Sequence, residues 1–136
     1  SSNSLGIQNM ISNDIIELID NKTFKWIGRI DNVINSGGIK HYPELLEKKL
    51  EEHLQGTKFF IDKVEHAELG EQIILIIENT KNIKIKTAVF KNFNSYEIPK
   101  KVFELDEFIY TNNNKINRPK SKAKAINLNK LYKLDQ

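Results

Sequence analysis

No cysteine occurs in the 136 residues, which excludes a disulfide scaffold and any thiol chemistry supplied by this chain. Histidine is nearly as scarce. His41, His53 and His66 stand too far apart for a helical pair of metal ligands, so a metal centre built on them is not expected. No apolar run approaches the roughly 20 residues of a membrane-crossing helix. No charged-then-apolar leader opens the sequence, and no internal repeat runs through it. These absences point to a soluble protein of a reducing compartment, with the cytoplasm as the expected location.

What is present is enough chain for one domain with a core, and too little for two ordinary ones. Hydrophobic residues make up 39% of it, and 21 Lys and Arg against 18 Asp and Glu leave a net charge of +3. That mild excess suits a partner bearing phosphates but is no nucleic-acid signature by itself.

Along the chain, "NMISNDIIELIDNKTFKWIGR" reads as short extended segments with a hairpin turn at Asp20-Asn21-Lys22. Residues 43–54, "PELLEKKLEEHL", form the clearest helix. Pro43 suits the first turn, Glu44 and Glu47 complement the dipole, Leu45, Leu46, Leu50 and Leu54 share a stripe, and Gly56 ends it. "KFFIDKV" and "EQIILIIEN" read as strands around a turn, the second buried on both faces because Ile73 to Ile77 are all apolar. "NIKIKTAVFKNF" fits a helix with Ile85, Ala88 and Val89 on one face. "SYEIPKKVFELDEF" brings a strand led by Pro99, with Val102 and Glu104 alternating. A polar loop, "YTNNNKINRPK", and a lysine-rich tail follow. The expected class is α+β, a small helix-covered sheet.

One stretch, "GRIDNVINSGG" at 28–38, crowds an arginine, an aspartate and two asparagines ahead of a Gly-Gly pair, directly after the apolar Phe24, Trp26 and Ile27. Continued as "GRIDNVINSGGIKHYPELLEKKL", it resembles the hinge motif of the adenylate-forming superfamily of AMP-producing acyl-CoA synthetases: Gly-Arg-x-Asp, a polar glycine-containing stretch, a basic residue, then Pro-x-x-(Ile/Leu)-Glu. "SND" at 12–14 is similar to the Thr-Gly-Asp motif that closes the family's large N-terminal part. "YEIPKKVFELDEFIYTNNNKINR" is similar to its C-terminal signature, Tyr-x-x-Pro before a strand and a Thr-x-x-Gly-Lys-Ile-x-Arg loop. Three motifs in the family's order span residues 12 to 118. Within the superfamily, "TFKWIGRIDNVINSGG" most resembles bacterial o-succinylbenzoate–CoA ligases of menaquinone synthesis; other acyl- or aryl-CoA ligases stay open, as do adenylation enzymes that load carrier-protein thiols.

The resemblance implies a boundary at the hinge, with 1–30 ending an N-terminal adenylation domain and 31–136 forming a mobile lid. Residues 1 to about 27 would then lack their usual neighbours. It implies ATP and CoA as cosubstrates, with Mg2+ held by the phosphates and the rest of the enzyme, a carboxylic acid as substrate, and no membrane or specific nucleic-acid partner. The phosphate-binding loop rich in Ser, Thr and Gly is absent here, so the chain alone is expected to be inactive. Lys115 matches the catalytic lysine, whose ammonium would meet the carboxylate and α-phosphate. Asp14 matches the ribose-binding aspartate, and Arg29 the arginine near ribose and phosphate. Asp31 matches the hinge, Gly37 and Gly38 the stretch approaching the pantetheine channel, and Lys40 a basic position within reach of a CoA phosphate. Asn13 and Asn114 stand where the family has glycine, and asparagine is the next-best residue for a positive φ.

Two other classes remain open at this point. A small basic nucleic-acid binder would draw on "KINRPKSKAK" and on Phe59, Phe60, Phe90 and Phe93. The basic run carries no aromatic, however, whereas single-strand readers interleave rings with charge. A non-catalytic interaction module descended from the lid is the third class.

Overall fold

The computed structural model describes residues 7–9, 14–20, 22–80 and 84–134. Among these residues, two sheets and two α-helices make up the fold. The first sheet is an antiparallel meander of β1 (Ile7–Asn9), β2 (Asp14–Leu18) and β3 (Phe24–Arg29). The Asp20 carboxylate accepts from the N–H groups of Lys22 and Thr23, both at 2.8 Å. This local turn is the hairpin that the Asp-Asn-Lys break predicts. Leu18, Ile19, Phe24 and Trp26 stay exposed on this sheet. Ser12 and Asn13 lie outside the described residues, as does Asn21.

The second sheet holds β4 (Ile34–Ser36), β5 (Ile39–His41), β6 (Phe59–His66), β7 (Gly70–Glu78) and β8 (Lys101–Leu105). β6 and β7 form a long antiparallel hairpin, registered from Phe59↔Ile77 to His66↔Gly70. On the other edge of β7, β4 touches at Ser36↔Gly70 while β8 runs parallel along Ile74 to Glu78. Beyond β8, residues 130–132 add an antiparallel stretch, with Glu104 N–H on Lys130 O and Tyr132 N–H on Val102 O.

β7 is the centre of the core. Ile73 to Ile77 are each at most 2% exposed. Their pleat sends Ile73, Leu75 and Ile77 to one face, against Ile34 and against Leu46 and Leu50 of α1 (Pro43–Glu51), together with Leu54 and Phe93. Ile74 and Ile76 face Phe60, Phe103, Phe108 and Ala125 of α2 (Arg118–Leu128). The class is α+β, as expected. No helix among the described residues is long and apolar enough to cross a membrane.

Four local expectations change. α1 stops at Glu51, and Leu54 is buried from the turn beyond it. Val102 and Phe103 of β8 are both buried, on opposite faces of the strand, Val102 in the cluster that includes α1 residues and Phe103 in the one that includes Ala125 of α2; Val102 shares its face with half-buried Glu104, so those two do not alternate. The helix predicted over 82–93 is a single 3-10 turn, Thr87–Phe90; Asn82 and Ile83 lie outside the described residues. Its anchors are Ile85, Phe90 and Phe93, the two rings edge-on at 5.3 Å, while Ala88 points outward. β-branched Thr87 and Val89 make poor helix interior, and the i, i+3 ring spacing suits a tighter turn. The lysine-rich tail is an ordered helix, α2. Asn117 caps it by accepting from Lys120 N–H at 3.2 Å, and Asn129 ends it at φ 50°.

Candidate functional site

Lys115 sits on a tight hairpin between Tyr110 and Ile116, which bridge each other. Thr111 organises the tip. Its N–H donates to Lys115 O at 2.7 Å, its carbonyl accepts from Asn114 N–H at 3.0 Å, and its Oγ1 accepts from Lys115 N–H at 3.2 Å. Asn114 adopts φ 62°, the left-handed conformation that asparagine tolerates next after glycine. The result is an exposed lysine on a backbone that is bonded at almost every step.

Both legs of the hairpin are rooted. In the first, Glu78 accepts from Phe108 N–H at 2.9 Å and from the Tyr110 hydroxyl at 2.6 Å, while Lys58 Nζ donates to that hydroxyl at 3.2 Å. Burial and the Glu78 carboxylate raise the Tyr110 pKa, so the phenol stays a donor. In the second, Ser121 Oγ takes Ile109 N–H at 2.9 Å and donates to Ile109 O at 3.2 Å. Arg118 forks onto Glu47 of α1, at 2.8 and 3.0 Å. Glu47 also takes the N–H of Ile61 at 2.9 Å. Burial pushes the Glu47 carboxyl up against the pull of Arg118. Glu47 is thus a tertiary cross-link, where the sequence reads it as a helix-dipole complement and the last residue of the hinge motif.

Arg29 ends β3, paired in register with Asp14 at the start of β2. The chain then turns through a 3-10 segment, Ile30–Asn32, carrying Asp31. The Arg29 and Asp31 side chains approach to 3.9 Å and are largely exposed. Glu44, in the first turn of α1, clasps both sides of this turn. Its Oε2 accepts from Asn32 Nδ2 at 2.7 Å and, at 3.4 Å, from Arg29 N–H. Gly28 leaves the room, since a Cβ there would lie 2.3 Å from Glu44 Oε1. A cleft of about 500 Å³ joins the two regions, lined by Asn32 and Pro43 on one side and by Thr111, Asn117 and Arg118 on the other.

Gly37 and Gly38 lie elsewhere. With φ of 60° and 84° they form the two-residue turn between β4 and β5, a geometry that requires positive φ at both central positions. Gly37 N–H donates to Leu69 O at 2.9 Å, and both glycines line a groove with Glu68 and Glu71. Lys40 is exposed on β5, opposite Asn35. This groove and the cleft beside the lysine hairpin have no lining residue in common. The candidate residues therefore fall on two surfaces. Asn32, next to Asp31, lines one cleft with Thr111, Ile116 and Asn117 of the hairpin that carries Lys115, while Gly37, Gly38 and Lys40 belong to the β4–β5 turn and its second strand. The basic run is partly committed internally: Arg118 pairs with Glu47, Lys122 Nζ lies 3.5 Å from Asp62, and Lys124 Nζ donates to Glu107 O. Sequence reading missed Glu44, Glu78, Arg118 and Ser121, whose partners are 12 to 71 residues away. Of these, Arg118 holds a named position of the C-terminal signature, three residues after the lysine, and Glu44 an unspecified one of the hinge motif, directly after Pro43.

No family model matches the sequence. VraA of Staphylococcus epidermidis, which carries the name of a long chain fatty acid-CoA ligase, is 30% identical over 112 residues, covering 80% of this chain and 25% of VraA. An acyl-CoA synthetase (AMP-forming)/AMP-acid ligase II-like protein of Dyadobacter fermentans superposes with a TM-score of 0.63 at 31% identity, over 87% of this chain and 36% of that one. The o-succinylbenzoate CoA synthetase of Bacillus subtilis, crystallised with its acyl-adenylate, gives 0.64 at 26% identity, over 88% and 26%. The chain thus spans about a quarter to a third of the length of these relatives. In sequence and in fold it matches the C-terminal region of the AMP-forming acyl-CoA synthetases.

Proposed function

We propose that this chain is the mobile lid of an AMP-forming acid–CoA ligase and brings Lys115 to the adenylation reaction. The observation that carries the reading is the lysine hairpin itself. An exposed ammonium on a long stem follows a left-handed Asn114, on a loop rooted at both legs. In the first half-reaction a carboxylate oxygen attacks the α-phosphorus of ATP, and the bond from that phosphorus to pyrophosphate breaks. Two anions meet, and Lys115 neutralises the charge that accumulates. In the second half the CoA thiol sulfur attacks the acyl carbonyl, its proton is lost, and AMP leaves. Asp14 would accept from the ribose hydroxyls and Arg29 would bind near ribose and phosphate. Asp31 would be the pivot between the part ending at residue 30 and the lid from 31 onward. Gly37 and Gly38 would come close to pantetheine and Lys40 to a CoA phosphate. The separation of the β4–β5 turn from the lysine cleft suits a lid that offers one surface to each half-reaction. Among the described residues no three carboxylates or imidazoles converge. Mg2+ would be held by the ATP phosphates and the rest of the enzyme. The missing phosphate-binding loop would leave the chain inactive alone. A cytoplasmic enzyme is the expected setting.

For the acid we propose o-succinylbenzoate, supported by the wording of residues 23–38 and by the similarity to the Bacillus subtilis synthetase. A long-chain fatty acid is the second reading, favoured by the similarity to VraA. The test uses the longer protein that carries this chain. Pyrophosphate release is followed with ATP and each acid, in the unsubstituted enzyme and in Lys115→Ala. Pre-made acyl-adenylate and CoA are then supplied to both. Lys115→Ala is expected to slow pyrophosphate release by about 10²-fold or more and to leave thioester formation within about threefold. Equal rates in both proteins would sink the assignment of the lysine. Release with only one of the two acids would decide between them.

A further inference from the structure

Of the contacts that root the lysine hairpin, the fork between Arg118 and Glu47 joins it to the helix that follows the hinge. We propose that Arg118 is a positioning residue: clamped by Glu47, it fixes where Lys115 stands relative to α1, so that loop and helix move as one body. The chemical side of this inference rests on the ligase reading above; its geometric side does not.

Arg118 is the first residue of α2 and follows Lys115 by three positions. Each residue between them is tied down. Ile116 bridges Tyr110, and Asn117 N–H donates to Ile109 O at 2.8 Å. A displacement of the guanidinium thus has almost no slack to be lost in before it reaches the lysine. The other end of the fork is equally firm. The Glu47 side chain is 15% exposed, its two oxygens take both Nη atoms of Arg118, and Oε2 also holds the N–H of Ile61 on β6. The guanidinium carbon lies 5.4 Å from the centroid of the Phe60 ring, the next residue back along β6. A planar fork fits this carboxylate, whereas an ammonium could make only a point contact. The pair spans 71 positions in sequence, so it is a tertiary tie between α1 and the hairpin and not a local cap.

Two substitutions and two measurements test this. In the present chain, amide hydrogen exchange is read in Arg118→Lys and Arg118→Gln at Thr111 and Asn114, whose N–H groups close the hairpin, and at Leu75 in the core of β7. Protection at Thr111 and Asn114 is expected to fall about tenfold or more with Leu75 unchanged, less in Arg118→Lys than in Arg118→Gln. Unchanged loop protection, or a loss shared equally by Leu75, would overturn the inference. In the longer enzyme the same variants are expected to lower kcat for pyrophosphate release by about 10- to 100-fold. KM for ATP and thioester formation from pre-made acyl-adenylate should stay within about threefold. An equal loss in both half-reactions would mean that the fork serves the fold alone and would overturn the positioning role. Should the unsubstituted enzyme release no pyrophosphate with any acid, the ligase reading fails, and exchange in the present chain still decides the positioning claim.

Discussion

Gly28 is small because another residue's carboxylate stands where its side chain would be. A Cβ there would meet Glu44 Oε1 at 2.3 Å and Cδ at 2.8 Å, both at the movable end of a side chain. Gly28→Ala should therefore leave the backbone in place and push the carboxylate away from Asn32 and Arg29. The expected cost is about 1–2 kcal/mol, the scale of the hydrogen bonds lost. The same substitution in a Glu44→Ala background should cost close to nothing. Urea unfolding of the two single variants and the double variant checks this; additive losses would show that Glu44 is not the obstacle. At this scale the sequence is informative where a motif position has one physical demand. Asparagine at 114 predicts a left-handed residue, and φ is 62° there. It is silent where the demand comes from a distant partner. Gly28 reads as part of the Gly-Arg-x-Asp motif, but nothing nearby in sequence says that Glu44 needs its space.

Elements were legible in proportion to how much apolar surface they bury. α1 shows a leucine every fourth residue, and β7 five successive buried aliphatics, so both stand out. α2 buries only Ser121 and Ala125, one turn apart, and surrounds them with lysines. Two small residues let the helix lie close to the sheet but leave almost no hydrophobic period, and the run reads as a tail. Its docking depends on polar contacts instead, chiefly Ser121 with both backbone groups of Ile109. Ser121→Ala raises the helix propensity slightly, which works against a loss, and removes that pair of bonds at a fully buried side chain. A loss of about 1–3 kcal/mol is expected, from leaving the half-buried Ile109 N–H unpartnered, while the Ile109 carbonyl keeps the Asn117 N–H. It should show as a lower urea midpoint with an unchanged slope. No shift would mean that the helix is held by Ala125 and Arg118 alone.

For the molecule as a whole, acid stability depends on a histidine outside the lysine cleft. His41 on β5 is 4% exposed, its Nε2 has no hydrogen-bond partner, and its ring lies 5.9 Å from that of Tyr96. Burial lowers its pKa below the usual 6.5, more than the nearby Glu97 carboxylate raises it. Below about pH 6.5 the unfolded chain therefore binds this proton while the folded chain still resists it. Protons taken up by the unfolded state cost stability, so the urea midpoint should fall as pH drops from 7.5 to 5.5. His41→Phe, which keeps a ring and removes the titrating group, should flatten that slope; an unchanged slope would assign it to another group.

The lysine hairpin also has a place in time. Glu47 and Glu78, which hold it from one side, precede Lys115 in the chain; Arg118, Ser121 and the stretch 130–132 that borders β8 all follow it. As the chain leaves the ribosome, α1 and the β6–β7 hairpin can close from residues already made, while the lysine emerges before half of its supports exist. A message cut just after the codon for Asn117 would encode Asp14, Arg29, Asp31 and Lys115, yet its product would root only the first leg of the loop that presents the lysine, through Glu78. Translating a complete set of motif residues is therefore not enough to form the site; it also takes the lysine-rich helix that comes after them.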